Sequence, residues 1–282
     1  MYNPRTWTAW LAAARDAGVR VRVYMHSSDA LNDVTQAWCA QHDVTRVSRV
    51  ATSWGDPSVS VATRNLFAAA LGGRGAPPTP AAAASTWACL LTQQCVPMVS
   101  PEDLLRVLTV SLTPAGSALD TLDARKAATC LRARYPSWVA AAAANPVLSA
   151  VAWAAIGGAL WDAHFAEFAA AQPRDACLRG TQTGLGLDEV FIPSLLTLAG
   201  CKIVSRRVTY SHWDASAFRA LECDATWCGQ RLPGVLDAAA GGPLRRVAGW
   251  LFARKFSEGR EDGAPAVLLA ALRARGVLGS CF

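Results

Sequence analysis

Along the first hundred residues the apolar positions switch between two periods. Trp7, Trp10, Leu11 and Ala14 recur at helical spacing, and VRVRVYM then alternates, with Val19, Val21, Val23 and Met25 on one side and Arg20, Arg22 and Tyr24 on the other. The pattern predicts a helix followed by a strand. Residues 29–40 return to helical spacing, RVSRVA (46–51) reads as a short strand, and SVSVATRNLFAAAL places Val61, Leu66, Phe67 and Ala70 roughly on one helical face. GGRGAPPTPAAAAS (72–85) is rich in turn formers and reads as a flexible loop within a domain, and WACLLT (87–92) reads as a central strand. PEDLLRVL (101–108) begins with Pro and two acids, the composition that suits a first helical turn, where backbone N–H groups lack partners and the dipole is positive.

Periodicity fades in the Ala-rich stretch 112–150, where only a helix near 137–144 is predicted. LWDAHFAEFAAA and DEVFIPSLLTLA then read as helices and KIVSRRVTY as a strand. Strands alternating with helices of this length imply an α/β architecture. There is no internal repeat, and residues 1–282 are read as a single domain with a tail after about 258.

Composition sharpens this picture. Of 282 residues, 52% are apolar and 17% charged, enough to bury a substantial core. A formal charge of +6 suits anionic ligands such as phosphates, but with no run of five basic residues it gives no footprint for nucleic acid. Nine cysteines, none in a CxxC pair, make a zinc site a poor fit and suit a lumenal protein with disulfides, although small buried apolar roles serve Cys89 and Cys95 equally well. No run of 18 apolar residues is present, and the opening MYNPRTW lacks the pattern of a secretion signal.

Two pairs of charged residues are candidates for chemistry. Asp188 and Glu189 open an amphipathic helix carrying Val190, Ile192, Leu195 and Leu196. Acids there stabilise the helix dipole by about 0.3–1 kcal/mol, and a carboxylate at such a corner beside a pocket is also placed to act as a general base. Arg254 and Lys255 lie among Trp250, Leu251, Phe252 and Phe256, so their charges face either solvent or a bound anion. The four histidines, His164 and His212 among them, form no HxxxH or HxE pattern, no DxD is present, and GLGLDE lacks the third Gly and the Lys of a phosphate loop.

Four segments in order carry a family resemblance. They are TSWGDPSVSVATRNLFAAAL (52–71), WACLLTQQCVPM (87–98), DEVFIPSLLTLAG followed by RRVTYSHWD (188–214), and WLFARKFS (250–257), with weaker echoes at RARYP and GGALW. Together they resemble the plant and algal branch of the core-2/I-branching glycosyltransferases. The resemblance implies a GT-A-like, Rossmann-related, mixed and mainly parallel sheet flanked by helices. It also implies an inverting transferase that needs no divalent metal and moves a sugar from a uridine diphosphate (UDP) donor to a glycan or glycoprotein acceptor.

In that family pattern Glu189, with Asp188 beside it, corresponds to the catalytic base. Lys255 corresponds to the cation that meets the diphosphate, with Arg254 next to it and Arg231, Arg245 or Arg246 as a second cation. Trp54, Cys95, Pro97, Trp161 and Trp213, all within the matching segments and echoes, are expected to line the acceptor or donor pocket. Fixed cations in place of a metal account for the missing DxD. The resemblance further implies a type II membrane protein of the Golgi lumen. The chain starts close to the helix after the family's usual first strand, so an anchor, a stem and that strand are expected to be missing from it. Two departures, Gln93 in place of an acid and AAIGGALW in place of a basic stretch, leave open a non-catalytic carbohydrate- or partner-binding relative.

Overall fold

A computed structural model describes residues 4–53, 56–72, 85–92, 95–111, 116–119, 146–171, 187–205, 208–210 and 251–253. The chain divides into two compact units, one drawn from residues 1–21, 91–107 and 207–282 and the other from 22–90 and 108–206. Most of the loop 72–85, the helix expected near 137–144 and the C-terminal tail lie outside the described residues.

In the first unit, α1 (Pro4–Asp16) buries Thr6, Ala9, Trp10 and Ala14. Its packing partners are β4 (Val96–Pro97) and α4 (Pro101–Arg106). Two indoles anchor it: Trp7 Nε1 donates to the Cys95 carbonyl at 3.0 Å and Trp10 Nε1 to the Val99 carbonyl at 2.9 Å. β4 pairs antiparallel with β9 (Phe252–Ala253), which pairs parallel with β8 (Thr209–Tyr210), so β9 is the middle strand of three. Trp7 also stacks on Phe252, with ring centroids 6.5 Å apart. α4 begins as its sequence dictates, with the Ser100 side chain accepting from Asp103 N at 3.1 Å and Pro101 in the first turn.

The second unit opens with a strand–helix–strand arrangement. β1 (Tyr24–Met25) and β2 (Thr45–Arg46) pair in parallel across α2 (Asp33–Gln41), whose Asn32 cap accepts from Thr35 N at 2.8 Å. The alternation in VRVRVYM predicted a longer strand. Val21 is exposed, so that alternation has no buried face to serve, and regular pairing begins only at Tyr24. α3 (Pro57–Leu71) follows β2, capped by Asp56, and buries Ser60, Thr63, Arg64, Phe67 and Leu71.

A separate four-stranded sheet has the order β3 (Trp87–Cys89), β6 (Val147–Ser149), β5 (Gly116–Leu119), β7 (Lys202–Ser205). The β3–β6 and β5–β6 pairs are antiparallel and β5–β7 is parallel. All three residues of β6 are buried, as suits an inner strand. Ser149 ends β6 and caps α5 (Ala150–Ile156), its Oγ accepting from Ala152 N at 3.0 Å. KIVSRRVTY, expected as one strand, contributes β7 to this sheet and β8 to the other unit.

α6 (Ala159–Ala171) and α7 (Leu187–Leu198) complete the core with α3 and α5. Its centre is aromatic. Phe191 meets Trp161 edge-on at 4.9 Å and Phe168 at 4.5 Å between ring centroids, while Phe67 stacks on Trp153 at 5.6 Å. Residues 190–196 of α7 are all buried, so this helix runs through the core with little polar face. Ser194 Oγ satisfies itself on the Val190 carbonyl at 2.8 Å. Gly200, at φ 67°, ends α7 in a left-handed conformation that a side chain would strain.

Candidate functional site

Parallel strands in α/β sheets present ligands at their carboxyl ends, where the chain turns out of the sheet. In the second unit, β1 runs into His26-Ser27-Ser28-Asp29 and β2 runs into a segment containing Arg49, Val50 and Ser53. The two exits are tied together. Val47 N donates to the Met25 carbonyl at 3.0 Å, Arg49 Nε donates to the Ser28 carbonyl at 2.7 Å, and His26 Nε2 lies 3.1 Å from both the amide nitrogen and the carbonyl oxygen of Val50. Asp56 then caps α3, its Oδ1 accepting from Ser58 N at 2.8 Å. This edge was not singled out among the candidate residues of the sequence. Its signal is the polar run HSSD directly after the alternating segment VRVRVYM, since such a run marks the point where a strand leaves the sheet.

Glu189 stands in the first turn of α7 and is half-buried. Asp188 precedes it in the same turn. Pro193, four residues on, has no N–H to offer the Glu189 carbonyl, so the ordinary helical bond is missing from that turn. Trp161, expected in a pocket, is fully buried and packs on Trp153, Phe165 and Phe191.

Over the Trp161 ring, 5.4 Å from its centroid, lies the guanidinium of Arg64. Arg64 Nη2 donates to the Gly157 carbonyl at 3.0 Å and Nη1 reaches Asp162 Oδ1 at 2.8 Å. Asp162 is 56% exposed, so the pair contributes little by itself, and the buried bond to Gly157 and the ring contact matter more. The sequence carried a sign of this cluster that its reading left aside: an arginine at helical spacing with Ser60, Phe67 and Leu71 sits on a core face and requires partners.

In the first unit, Cys95 and Pro97 are both buried, the Cys95 thiol lying 3.3 Å from Thr92 Oγ1 and Pro97 paired in the ladder opposite Phe252. The chain leaves β9 into Arg254 and Lys255, and leaves β8 towards Trp213. Those three residues, with Trp54, Arg231, Arg245 and Arg246, lie outside the described residues.

Burial pushes the Cys89 thiol up to about 12 and raises Cys39 and Cys201, the last two by desolvation as well. These thiols remain protonated at neutral pH and are poor nucleophiles. Among the described residues no group of three His, Cys, Asp or Glu side chains is placed to hold a metal, and no helix is long and apolar enough to cross a membrane. No family model, curated protein or solved structure matches the chain.

Proposed function

We propose that the chain is an inverting glycosyltransferase of the core-2/I-branching type, using a UDP-sugar donor and a glycan or glycoprotein acceptor without a divalent metal. The observation that supports this most is an assembly of segments. Val96–Pro97, Thr209–Tyr210 and Phe252–Ala253, which belong to three of the four segments carrying the family resemblance, are neighbours in one sheet. Segments with no shared structural role need not meet in this way.

In this reading Glu189 removes the proton from the acceptor hydroxyl as its oxygen attacks the anomeric carbon. The bond from that carbon to the diphosphate breaks, and UDP departs with the electron pair. Lys255 meets the charge that builds on the leaving phosphate, with Arg254 and one of Arg231, Arg245 or Arg246 in support. The carboxyl edge of β1 and β2, with its backbone groups and Arg49, suits the nucleotide.

The test measures UDP release from a panel of nucleotide sugars, with and without a chelator. Release from at least one donor, unchanged by chelation, is expected; activity that disappears with chelator and returns with Mn²⁺ contradicts the metal-independent mechanism. Glu189→Gln should lower turnover by about 10²–10⁴-fold with donor binding nearly intact. Lys255→Ala should weaken both, because the diphosphate is anionic before and during bond breaking.

A second reading, a non-catalytic carbohydrate- or partner-binding relative, has one observation in its favour. With the Trp of the family's Arg-Lys-Gly-Ser-Gln-Trp stretch set on Trp161, its Arg and Lys fall at Ile156, which is fully buried, and Gly157, where even a Cβ would stand 2.6 Å from the Trp153 ring. Neither position has room for a cation. Absence of turnover with every donor, together with retained binding of UDP or a glycan, would select this reading.

A further inference from the structure

We propose that Arg64 is a positioning residue for Glu189, setting the entrance of α7 through Trp161 and Phe191. The proposal rests on the reading of Glu189 as the base of the transfer reaction. Arg64 is 9% exposed, and its guanidinium lies 5.4 Å from the centre of the Trp161 ring. Trp161 meets Phe191 edge-on at 4.9 Å, and Phe191 stands two residues after Glu189 in the same helix. Pro193 removes one backbone bond from that turn, so the turn leans more on the packing of Phe191.

Packing by itself does not call for an arginine here. Taking a charge out of water is costly, and an apolar side chain of similar volume often serves a buried site as well or better. What the guanidinium adds is direction. Nη2 donates to the Gly157 carbonyl at 3.0 Å, at the end of α5, and Nη1 reaches Asp162 Oδ1 at 2.8 Å, in the first turn of α6. The fork thus ties the end of α5 to the start of α6, and Trp161, next to Asp162 in the chain, is held under it. A base must stand within hydrogen-bond reach of the acceptor hydroxyl, and a misplacement of about 1 Å costs about 10²-fold in rate.

The experiment compares wild type, Arg64→Met, Glu189→Gln and the double variant in steady-state UDP release and in hydrogen exchange across α7. Met is unbranched and covers the ring, but it donates no hydrogen bond. Arg64→Met should lower kcat by about 10–10²-fold, with the donor KM and the affinity for UDP unchanged. Added to Glu189→Gln, it should lower kcat by less than about twofold further, since residues that act as one unit are not additive. Losses that multiply, or a kcat that Arg64→Met leaves unchanged, overturn the proposal.

Exchange separates positioning from a general loss of stability. In Arg64→Met the amides of Phe191 and Ile192 should exchange faster relative to those of Leu198 and Ala199 at the far end of the helix, whereas general destabilisation raises all four alike. If wild type turns over no donor, the glycosyltransferase reading falls, and the exchange pattern alone decides whether Arg64 holds the entrance of α7. A uniform change, or none, overturns it. Should Arg64→Met fail to fold, Arg64→Lys takes its place. A single ammonium over the ring cannot span both the Gly157 carbonyl and Asp162, so the same pattern is expected in smaller measure.

Discussion

The two units secure their helices by opposite means. α1 is held by direction: Trp7 and Trp10 donate from their indole nitrogens to two backbone carbonyls, at 3.0 and 2.9 Å, which fixes both the position and the rotation of the helix. α3, α5, α6 and α7 are held by mass, through interlocked rings around Phe191 and Trp161 with one guanidinium laid over the indole. The difference teaches where each kind of contact is useful. A short sheet of two-residue strands offers little area to bury, so hydrogen bonds must specify the fit. Four packed helices bury enough apolar surface that shape specifies most of the fit, with the buried Arg64–Gly157 bond beside it.

Substitutions can break this contrast or sharpen it. The largest effect is expected from Trp161→Ala, which empties the aromatic cluster and removes the ring beneath Arg64; about 3–5 kcal/mol of stability should be lost in denaturant unfolding. A loss below that of Trp10→Phe in α1 would mean that the helices are not held by their core. Gly157→Ala should cost about 1–3 kcal/mol through overpacking, since its Cβ would meet the Trp153 ring at 2.6 Å. A neutral result there would show that Trp153 yields easily.

Trp10→Phe keeps an aromatic side chain but leaves the Val99 carbonyl without its indole donor. About 1 kcal/mol is expected, read as a shift of the unfolding midpoint, and no change would demote direction as the principle of the first unit. The smallest effect at ordinary pH concerns Cys89. Its thiol is raised from 9.0 to about 12, so above about 9 the unfolded chain loses this proton while the folded chain keeps it. Stability should therefore fall as pH rises from about 9 towards 12, and Cys89→Ala should flatten that part of the curve.

Much of the helical framework was legible in the residues. Pro101 with Glu102 and Asp103 announced α4, and α1 and α3 arise where the helical spacing placed them, although their buried faces are rotated from the ones expected. At α1 Thr6 and Ala9 join Trp10 and Ala14 in the buried set, while Trp7 is half-buried and gives its nitrogen to Cys95. β5 and β6 went unread because strands of four and three residues are too short to display a period. Of the candidate site, Glu189 and its helix were readable from local pattern. The pairing of His26 with Val50 was not, because no local rule links residues 24 positions apart.

By itself the sequence determined what depends on near neighbours: caps at Asn32, Asp56 and Ser100, the glycine that ends α7, and the acids at its entrance. Backbone donors at a helix start are satisfied within three residues, so local chemistry suffices there. The tertiary structure alone decided that Arg64 belongs over Trp161, that Trp161 is a core residue, and that segments near 97, 210 and 252 form one sheet. Those outcomes depend on which distant surfaces exclude water together, and burial of that kind has no signature within any single window of the chain.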